Sequence, residues 1–245
     1  MLECYYMNVN RDCSKEQSLA LYESLQRDRK EKVDRLKKKN LADKQILISA
    51  FLQQCLAKYV DIPPSELEFK YNEQGKPYIE DGIYFNMSHS GEYVVLAVSD
   101  YPVGIDIERI RANRLSVAKR CFCVEEYEDI INAETEEEQN NRFAGYWTMK
   151  EAYIKYVGKG LLIPLNSFRI VRSMNENTPG NIIIEKGDSD AIDPNDQMME
   201  NKEIYVISNK FDSNYYISIC CERKAVFNGE DLYDVIGNAS NIYLS

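Results

Sequence analysis

The segment Val103–Ile110, VGIDIERI, constrains the fold of this chain more than any other. Val103, Ile105 and Ile107 alternate with Gly104, Asp106 and Glu108. Side chains on a strand alternate between faces, so the apolar set must meet a core while both carboxylates share the opposite face. Two anions at i and i+2 repel each other. A divalent cation between them would turn that repulsion into binding, and Gly104 leaves room for close approach to the backbone. The plainer alternative is an edge strand whose acids face solvent.

A second segment, WTMKEAYIKYVGKG at residues 147–160, has the helical period. Trp147, Glu151 and Lys155 stack on one face at i, i+4 and i+8, which sets a third carboxylate beside a cation, and Gly158 and Gly160 then stop the helix. An exposed ion pair of small value explains Glu151 and Lys155 equally well. The chain's one tryptophan, a turn away, suggests a wall. In a third segment, FNMSHSGEYVVLAVS at 85–99, strands over 83–87 and 92–99 flank a polar turn of Ser88, His89, Ser90 and Gly91. Hydroxyls, imidazole and free turn amides would make an oxyanion or phosphate nest; the alternative is a structural histidine. No GxSxG elbow, Walker A loop or GxGxxG turn occurs, so hydrolase-triad, P-loop and dinucleotide readings lack their usual signals.

His89 is the only histidine, which excludes zinc sites built on several imidazoles and leaves carboxylate chemistry with a hard ion such as magnesium or calcium. The seven cysteines are odd in number and show no CxxC spacing, so they read as buried thiols of a reducing compartment. MLECYYMNVNRDC lacks the features of a signal peptide, and no apolar run approaches a membrane span of about 20 residues. Cytoplasmic residence without membrane contact is the expectation.

The formal charge is −10, which disfavours general nucleic-acid binding, yet it conceals two basic islands. Residues 27–44 hold nine Lys/Arg against four Asp/Glu, and 109–124 hold five Lys/Arg and no acid. Each island is a local +5, so an anionic ligand would be steered to them, unless each is simply a solvated helix face. Along the chain, residues 15–59 predict two helices broken near Asn40, followed by short strands from Leu67 onward. Helices are expected at 114–121, 124–132 and 137–157, and strands at 167–172, 204–209 and 214–222, with a polar, acid-rich excursion over 174–203. Helices followed by strands occur in 15–108 and again in 114–222. This order suggests two similar α+β halves with a seam near residues 100–112.

Gly104, Asp106 and Glu108, followed some forty residues later by Trp147, Lys150, Glu151, Ala152, Lys155, Gly158 and Gly160, resemble the GxDxE and WxxKEAxxKxxGxG patterns of the long, single-chain 4'-phosphopantetheinyl transferases, the surfactin-synthetase-activator type. Gly75, Lys76 and Pro77, with Asn86, Ser88, His89 and Ser90, extend the resemblance over residues 27–168. It implies an α+β fold of two similar halves packed as a pseudo-twofold dimer within one chain. The halves would be 1–103, on the coenzyme A adenosine and 3'-phosphate side, and 104–245, with the metal ligands and catalytic helix. It further implies a Mg2+-dependent transferase, monomeric and cytoplasmic. Such an enzyme moves the 4'-phosphopantetheine arm of coenzyme A to a serine of an acyl or peptidyl carrier protein in fatty-acid, polyketide or nonribosomal-peptide synthesis, and releases adenosine 3',5'-bisphosphate.

By position, Asp106, Glu108 and Glu151 would hold Mg2+, and Lys155 would neutralise charge on the diphosphate as the bond breaks. Ser88 and His89 would grip phosphate oxygens, and Lys76 with Arg29, Lys32 and Lys44 would surround the adenosine end. Glu151 would act as base, directly or through a metal-bound water. Glu126 is a further acid in an FxxxE pattern, equally readable as a first-turn helix acid. The other classes to weigh are a non-enzymatic coenzyme A or carrier-binding module and a Mg2+-dependent phosphotransferase or nuclease. No role is assigned to 174–203.

Overall fold

Residues 94–98, VVLAV, carry no polar side chain, so a strand built from them has to be covered on both faces. In the computed structural model, which describes residues 1–10, 13–80, 82–171, 180–183, 204–222 and 240–241, all five are buried and face two cores in alternation. Val94, Leu96 and Val98 join one cluster, while Val95 and Ala97 join another.

The first part of the chain runs β1 (Leu2–Asn8), α1 (Lys15–Ser24), α2 (Arg27–Asp34), α3 (Lys39–Val60), β2 (Lys70–Tyr71), β3 (Pro77–Tyr78), β4 (Tyr84–Ser90) and β5 (Tyr93–Ser99). It continues with β6 (Val103–Arg109), α4 (Leu115–Cys121), α5 (Val124–Ile131), α6 (Glu136–Val157), β7 (Arg169–Ile170), β8 (Gly180–Ile183), β9 (Ile204–Phe211), β10 (Tyr215–Glu222) and β11 (Ser240–Asn241). One sheet has the order β11-β1-β5-β4 and a second the order β6-β10-β9-β8-β7, while β2 and β3 form a separate two-stranded hairpin. β11 runs parallel to β1; the other pairings are antiparallel.

Helices α1–α3 cover one face of the first sheet through Leu21, Val33, Phe51 and Leu56. Its other face meets the second sheet through Leu2, Cys4, Ile105, Ile107, Ile217 and Ile219. Beyond the second sheet, α6 carries Ala152, Ile154 and Tyr156 into a third cluster with Val206 and Cys220. The layers are therefore helices, sheet, sheet, helices, and the class is α+β. Within each half the order is a strand, two short helices, a 22-residue helix ending on a left-handed residue (Asp61 or Gly158), and further strands. Among the described residues no helix is long and apolar enough to cross a membrane.

Four expectations change. Residues 15–60 form three helices rather than two. Gln26 leaves the helical path because its backbone N–H reaches Gln53 Oε1 (3.3 Å) and its side-chain amide donates to the Ser65 carbonyl, and the second break falls before Lys39. The element order alone grouped 103–108 with the first run of strands; strand 103–109 pairs with β10 and opens the second sheet, in line with the half at 104–245 that the resemblance implies. Ser88, His89 and Ser90 are not in a turn: they pair with Val95, Val94 and Tyr93, leaving only Gly91 and Glu92 to reverse the chain. Their amides belong to a strand ladder and form no nest. Of the cysteines, all free, Cys4, Cys55, Cys220 and Cys221 are buried, while Cys13, Cys121 and Cys123 are partly exposed. The excursion at 174–203 lies outside the described residues except for the backbone of β8.

Gly104 does let a neighbour approach closely, and the neighbour is α6. A Cβ at this position would run into the backbone of Ala152 and Tyr156. Gly104→Ala therefore has to push a helix off a sheet, and overpacking of this kind costs about 1–3 kcal/mol or more. We expect a melting temperature lower by several degrees; an unchanged melting curve would show that α6 can shift at no cost.

Candidate active site

The side chains of β4 that point away from α3 are Asn86, Ser88 and Ser90, and all three are buried polar groups that require partners. Each finds one on β6. Asn86 Oδ1 accepts the Ile105 N–H at 2.9 Å, Ser88 Oγ donates to Asp106 Oδ1 at 2.7 Å, and Ser90 Oγ donates to Glu108 Oε2 at 3.0 Å while accepting the Arg109 N–H at 3.1 Å. A polar stripe on the edge strand of one sheet thus fixes the acidic strand at the edge of the other.

From α6, Lys155 closes this seam. Its ammonium donates to Asp106 Oδ1 (2.6 Å), Ser88 Oγ (2.8 Å) and the Ile105 carbonyl (3.3 Å). No ion pair joins Lys155 to Glu151, so the surface-pair reading of those two residues fails: the lysine turns inward to Asp106. Glu151 is partly buried, and its carboxyl is held above the usual range by burial first and by the Asp106 and Glu108 charges, with Lys155 opposing. Three carboxylates therefore sense one another, although among the described residues no three His, Cys, Asp or Glu side chains converge on a single point. All donors are hard oxygens, and Asp106 already carries a cationic partner. That donor set suits a hard divalent ion.

Of the basic residues Lys76 touches this centre, while Arg29 and Lys32 lie on α2 and Lys44 on α3. Lys76 Nζ donates to the Lys155 carbonyl at 2.5 Å, and burial, reinforced by the Lys155 charge, brings its pKa down to about 8. His89 points the opposite way from Ser88 and keeps part of its ring exposed; burial of the rest, then the Lys155 and Lys44 charges against that of Asp106, hold it below the ordinary imidazole value. Lys44 Nζ lies 3.5 Å from the Gly91 carbonyl. Arg29 is 3% exposed, lies 4.1 Å over the Phe69 ring and places Nε 3.4 Å from Asp28 Oδ2 as an ion pair, with no hydrogen bond from Nε or Nη2. Lys32 donates to the Tyr71 hydroxyl at 3.1 Å. Lys76 also lines a cavity of about 360 Å3 with Pro77, Ile79 and Phe85, and Lys44 lines one of about 720 Å3 between α1 and α3.

Two sequence expectations resolve into structure. Trp147 packs on Phe143 (centroids 5.8 Å apart) and Phe122 (6.4 Å), which makes it part of the third core. Glu126 is 2% exposed. Its carboxylate accepts the Cys123 and Ile170 N–H groups and pairs with Lys150 Nζ at 2.9 Å, so it closes a capping box and holds the loop after α6. Lys150 is fully buried and also donates to the Leu165 and Phe168 carbonyls at 2.7 and 2.6 Å. The sequence reading gave Lys150 a place in a motif and no role. Asn72, which donates to the Gly158 carbonyl at 3.1 Å, was missed altogether, since nothing in its local pattern marks it.

A seam of acids and one ammonium, with Lys76 beside it, has the charges to hold a cation and an anionic group together. Residues 102–220 match the 4'-phosphopantetheinyl transferase superfamily, and residues 11–100 match the description "4'-phosphopantetheinyl transferase, N-terminal". The chain is 31% identical to 4'-phosphopantetheinyl transferase Sfp of Bacillus subtilis (strain 168), covering 89% of this chain and 92% of that one. It is 39% identical to the Aneurinibacillus migulanus 4'-phosphopantetheinyl transferase gsp, over 55% of this chain and 56% of that one. Among solved structures, a holo-(acyl-carrier-protein) synthase from Bacillus anthracis aligns with 50% of this chain and 95% of its own, at 15% identity and a TM-score of 0.37. The chain belongs to the 4'-phosphopantetheinyl transferase superfamily.

The Lys150–Glu126 pair gives a test of how α6 is anchored. Removing one partner of a buried pair strands the other charge and costs about 3–5 kcal/mol. Lys150→Met should unfold at clearly lower urea than wild type, and adding Glu126→Leu should recover part of the loss. If Lys150→Met keeps the wild-type midpoint, the pair is not an anchor.

Proposed function

We propose that this chain transfers the 4'-phosphopantetheine arm of coenzyme A to a serine hydroxyl of an acyl or peptidyl carrier protein, with Mg2+, releasing adenosine 3',5'-bisphosphate. The observation that carries this is the seam between the two sheets, where Lys155 is bound to Asp106 and the Asp106 and Glu108 charges act on Glu151. In the reaction the serine oxygen bonds to the β-phosphorus of the diphosphate, the bond from that phosphorus to the bridging oxygen breaks, and the serine proton must be accepted. Glu151 in its ionised form accepts it.

Asp106, Glu108 and Glu151 would hold Mg2+, which, when bound, supplies charge neutralisation to the diphosphate. Lys155, poised by Ser88 and Asp106, is one of the groups in reach of the developing charge on the leaving side. Ser88 and His89 take phosphate oxygens. Arg29, Lys32, Lys44 and Lys76 surround the adenosine end, which assigns that end to the half at 1–103 and the acids to the half at 104–245. Positioning and charge do most of the work in such a transfer, because the reaction asks for little covalent chemistry from the protein. The chain acts as a cytoplasmic monomer, where seven free thiols suit a reducing environment.

The direct test is mass spectrometry of a carrier protein incubated with the chain, coenzyme A and Mg2+. We expect a gain of one phosphopantetheine arm, and Asp106→Ala should lose at least about a hundredfold in rate while staying folded, since it removes a ligand and the Lys155 partner together. Coenzyme A binding with no mass gain would instead make the chain a binding module. Near wild-type turnover of Asp106→Ala at saturating Mg2+ would remove Asp106 from the metal site.

The second island supports a docking face for the carrier. Arg109, Arg111, Lys119 and Arg120 are exposed and Arg114 partly so, next to exposed Leu115 and Val124, and the island follows directly from the Asp106/Glu108 strand. A partner with an acidic face held there would bring its serine close to the carboxylates. Exposed charge pairs contribute about 0.2–1 kcal/mol each, so Arg114→Glu with Lys119→Glu should raise the KM for carrier by very roughly tenfold and leave that for coenzyme A unchanged. An unchanged carrier KM at low salt, where screening is weakest, would assign the island to solvation.

A further inference from the structure

We propose that Asn72 is a positioning residue for the transfer: it fixes the end of the helix that carries Glu151 and Lys155 against the hairpin that carries Lys76, an inference that rests on the function proposed above. Every polar group of Asn72 is engaged. Its N–H donates to the Lys76 carbonyl (3.0 Å) and its carbonyl accepts the Gly75 N–H (2.9 Å). Its Oδ1 accepts the N–H groups of Gln74 (3.1 Å) and Lys76 (2.7 Å), which folds residues 72–76 into one tight loop with Gly75 at φ +79°. The remaining donor, Nδ2, leaves the loop and reaches Gly158 O at 3.1 Å.

Gly158 is the left-handed residue that turns the chain off α6, at φ +80°. The last carbonyls of a helix have no partner within it, and here the hairpin supplies two: Asn72 takes the carbonyl of Gly158 and Lys76 that of Lys155. Lys155 is thus held at both ends. Its carbonyl is gripped by the hairpin, and its ammonium rests on Asp106 and Ser88.

The hairpin is poorly placed to hold its own position, since β2 and β3 share only the pairs Lys70↔Tyr78 and Tyr71↔Pro77, and two-stranded hairpins are marginal alone. Contacts outside it must hold it. Tyr71, adjacent to Asn72 and so pointing the other way, donates to Asp28 Oδ2 at 2.5 Å and accepts from Lys32. Residues 71 and 72 therefore clasp α2, with its basic side chains, on one side and α6 on the other. A shift of this clasp would move Lys155 against the carboxylates without removing any group that touches substrate, and small misplacements of that kind are costly to catalysis.

The test is Asn72→Asp. The isosteric carboxylate keeps both Oδ1 contacts that shape the loop, loses the donor to Gly158, and sets a negative charge against the negative end of α6. With the mass-gain assay, we expect kcat to fall about tenfold with the KM for coenzyme A within about twofold of wild type. Amide exchange over residues 153–160 should become faster. If wild type shows no mass gain, the functional reading fails and the role of Asn72 in it falls too; if wild type transfers and Asn72→Asp retains kcat within about twofold, or raises only the KM for coenzyme A, the functional reading stands and Asn72 is not a positioning residue. Should Asn72→Asp fold poorly, Asn72→Ser removes the same link without adding charge and must show the same split between kcat and KM.

Discussion

One carboxylate oxygen, Oδ1 of Asp106, receives Lys155 at 2.6 Å and Ser88 at 2.7 Å, and those three residues come from β6, α6 and β4. Two sheets and the helix layer of the second half are tied at this atom. The remaining geometry serves the tie. Gly104 lets α6 lie close enough to β6 for the lysine to reach inward, and Asn86 and Ser90 set the register of β4 against β6 on either side of Ser88. A buried pair of this kind contributes little net stability, because desolvation offsets most of the attraction. Its value lies in placement. The apolar cores beneath the two sheets supply the stability, and the tie decides which polar groups end up facing each other.

Much of this was legible in the residues. The period-two alternation over 103–108 gave β6 and its acidic face, and α4, α5 and α6 lie within two residues of where apolar spacing put them. Failures came where polarity misled. Ser88, His89 and Ser90 read as a turn because polar runs usually mark one, yet their polar face is satisfied by β6, a partner that no local pattern displays. β1 escaped notice for the opposite reason: Leu2 and Cys4 face one core while Tyr5 and Met7 face another, so the strand shows no alternation of apolar and polar side chains. The grouping of four candidate acids and lysines was readable only because two motifs could be joined; which of them touch was decided by tertiary packing.

Lys150 and Lys155 show why spacing alone cannot assign a lysine. They lie on the same helix, five residues apart, hence on different faces. Lys150 is buried on Glu126 and two carbonyls, and burial lowers its pKa against the pull of that carboxylate. All its donors are committed to protein acceptors within the core. Lys155 keeps a quarter of its side chain exposed and spends its contacts on Asp106 and Ser88, the groups at the seam. The first lysine anchors the helix from behind, and the second is the one that can exchange partners.

Arg29 extends the same reasoning to the other half. Its guanidinium is 3% exposed, two of its nitrogens make no hydrogen bond, and burial holds its pKa below the ordinary value. Stacking on Phe69 and the 3.4 Å approach of Asp28 compensate only in part for a desolvated cation. Lys32, on the same helix, donates to the Tyr71 hydroxyl and lies 4.7 Å over its ring. The two open nitrogens are buried with the rest of the side chain, so of the two cations it is the partly exposed Lys32 that faces outward from α2, and it is held by Tyr71. Tyr71 joins α2 to the hairpin on both counts, because it accepts from Lys32 and donates to Asp28, the carboxylate that lies beside Arg29.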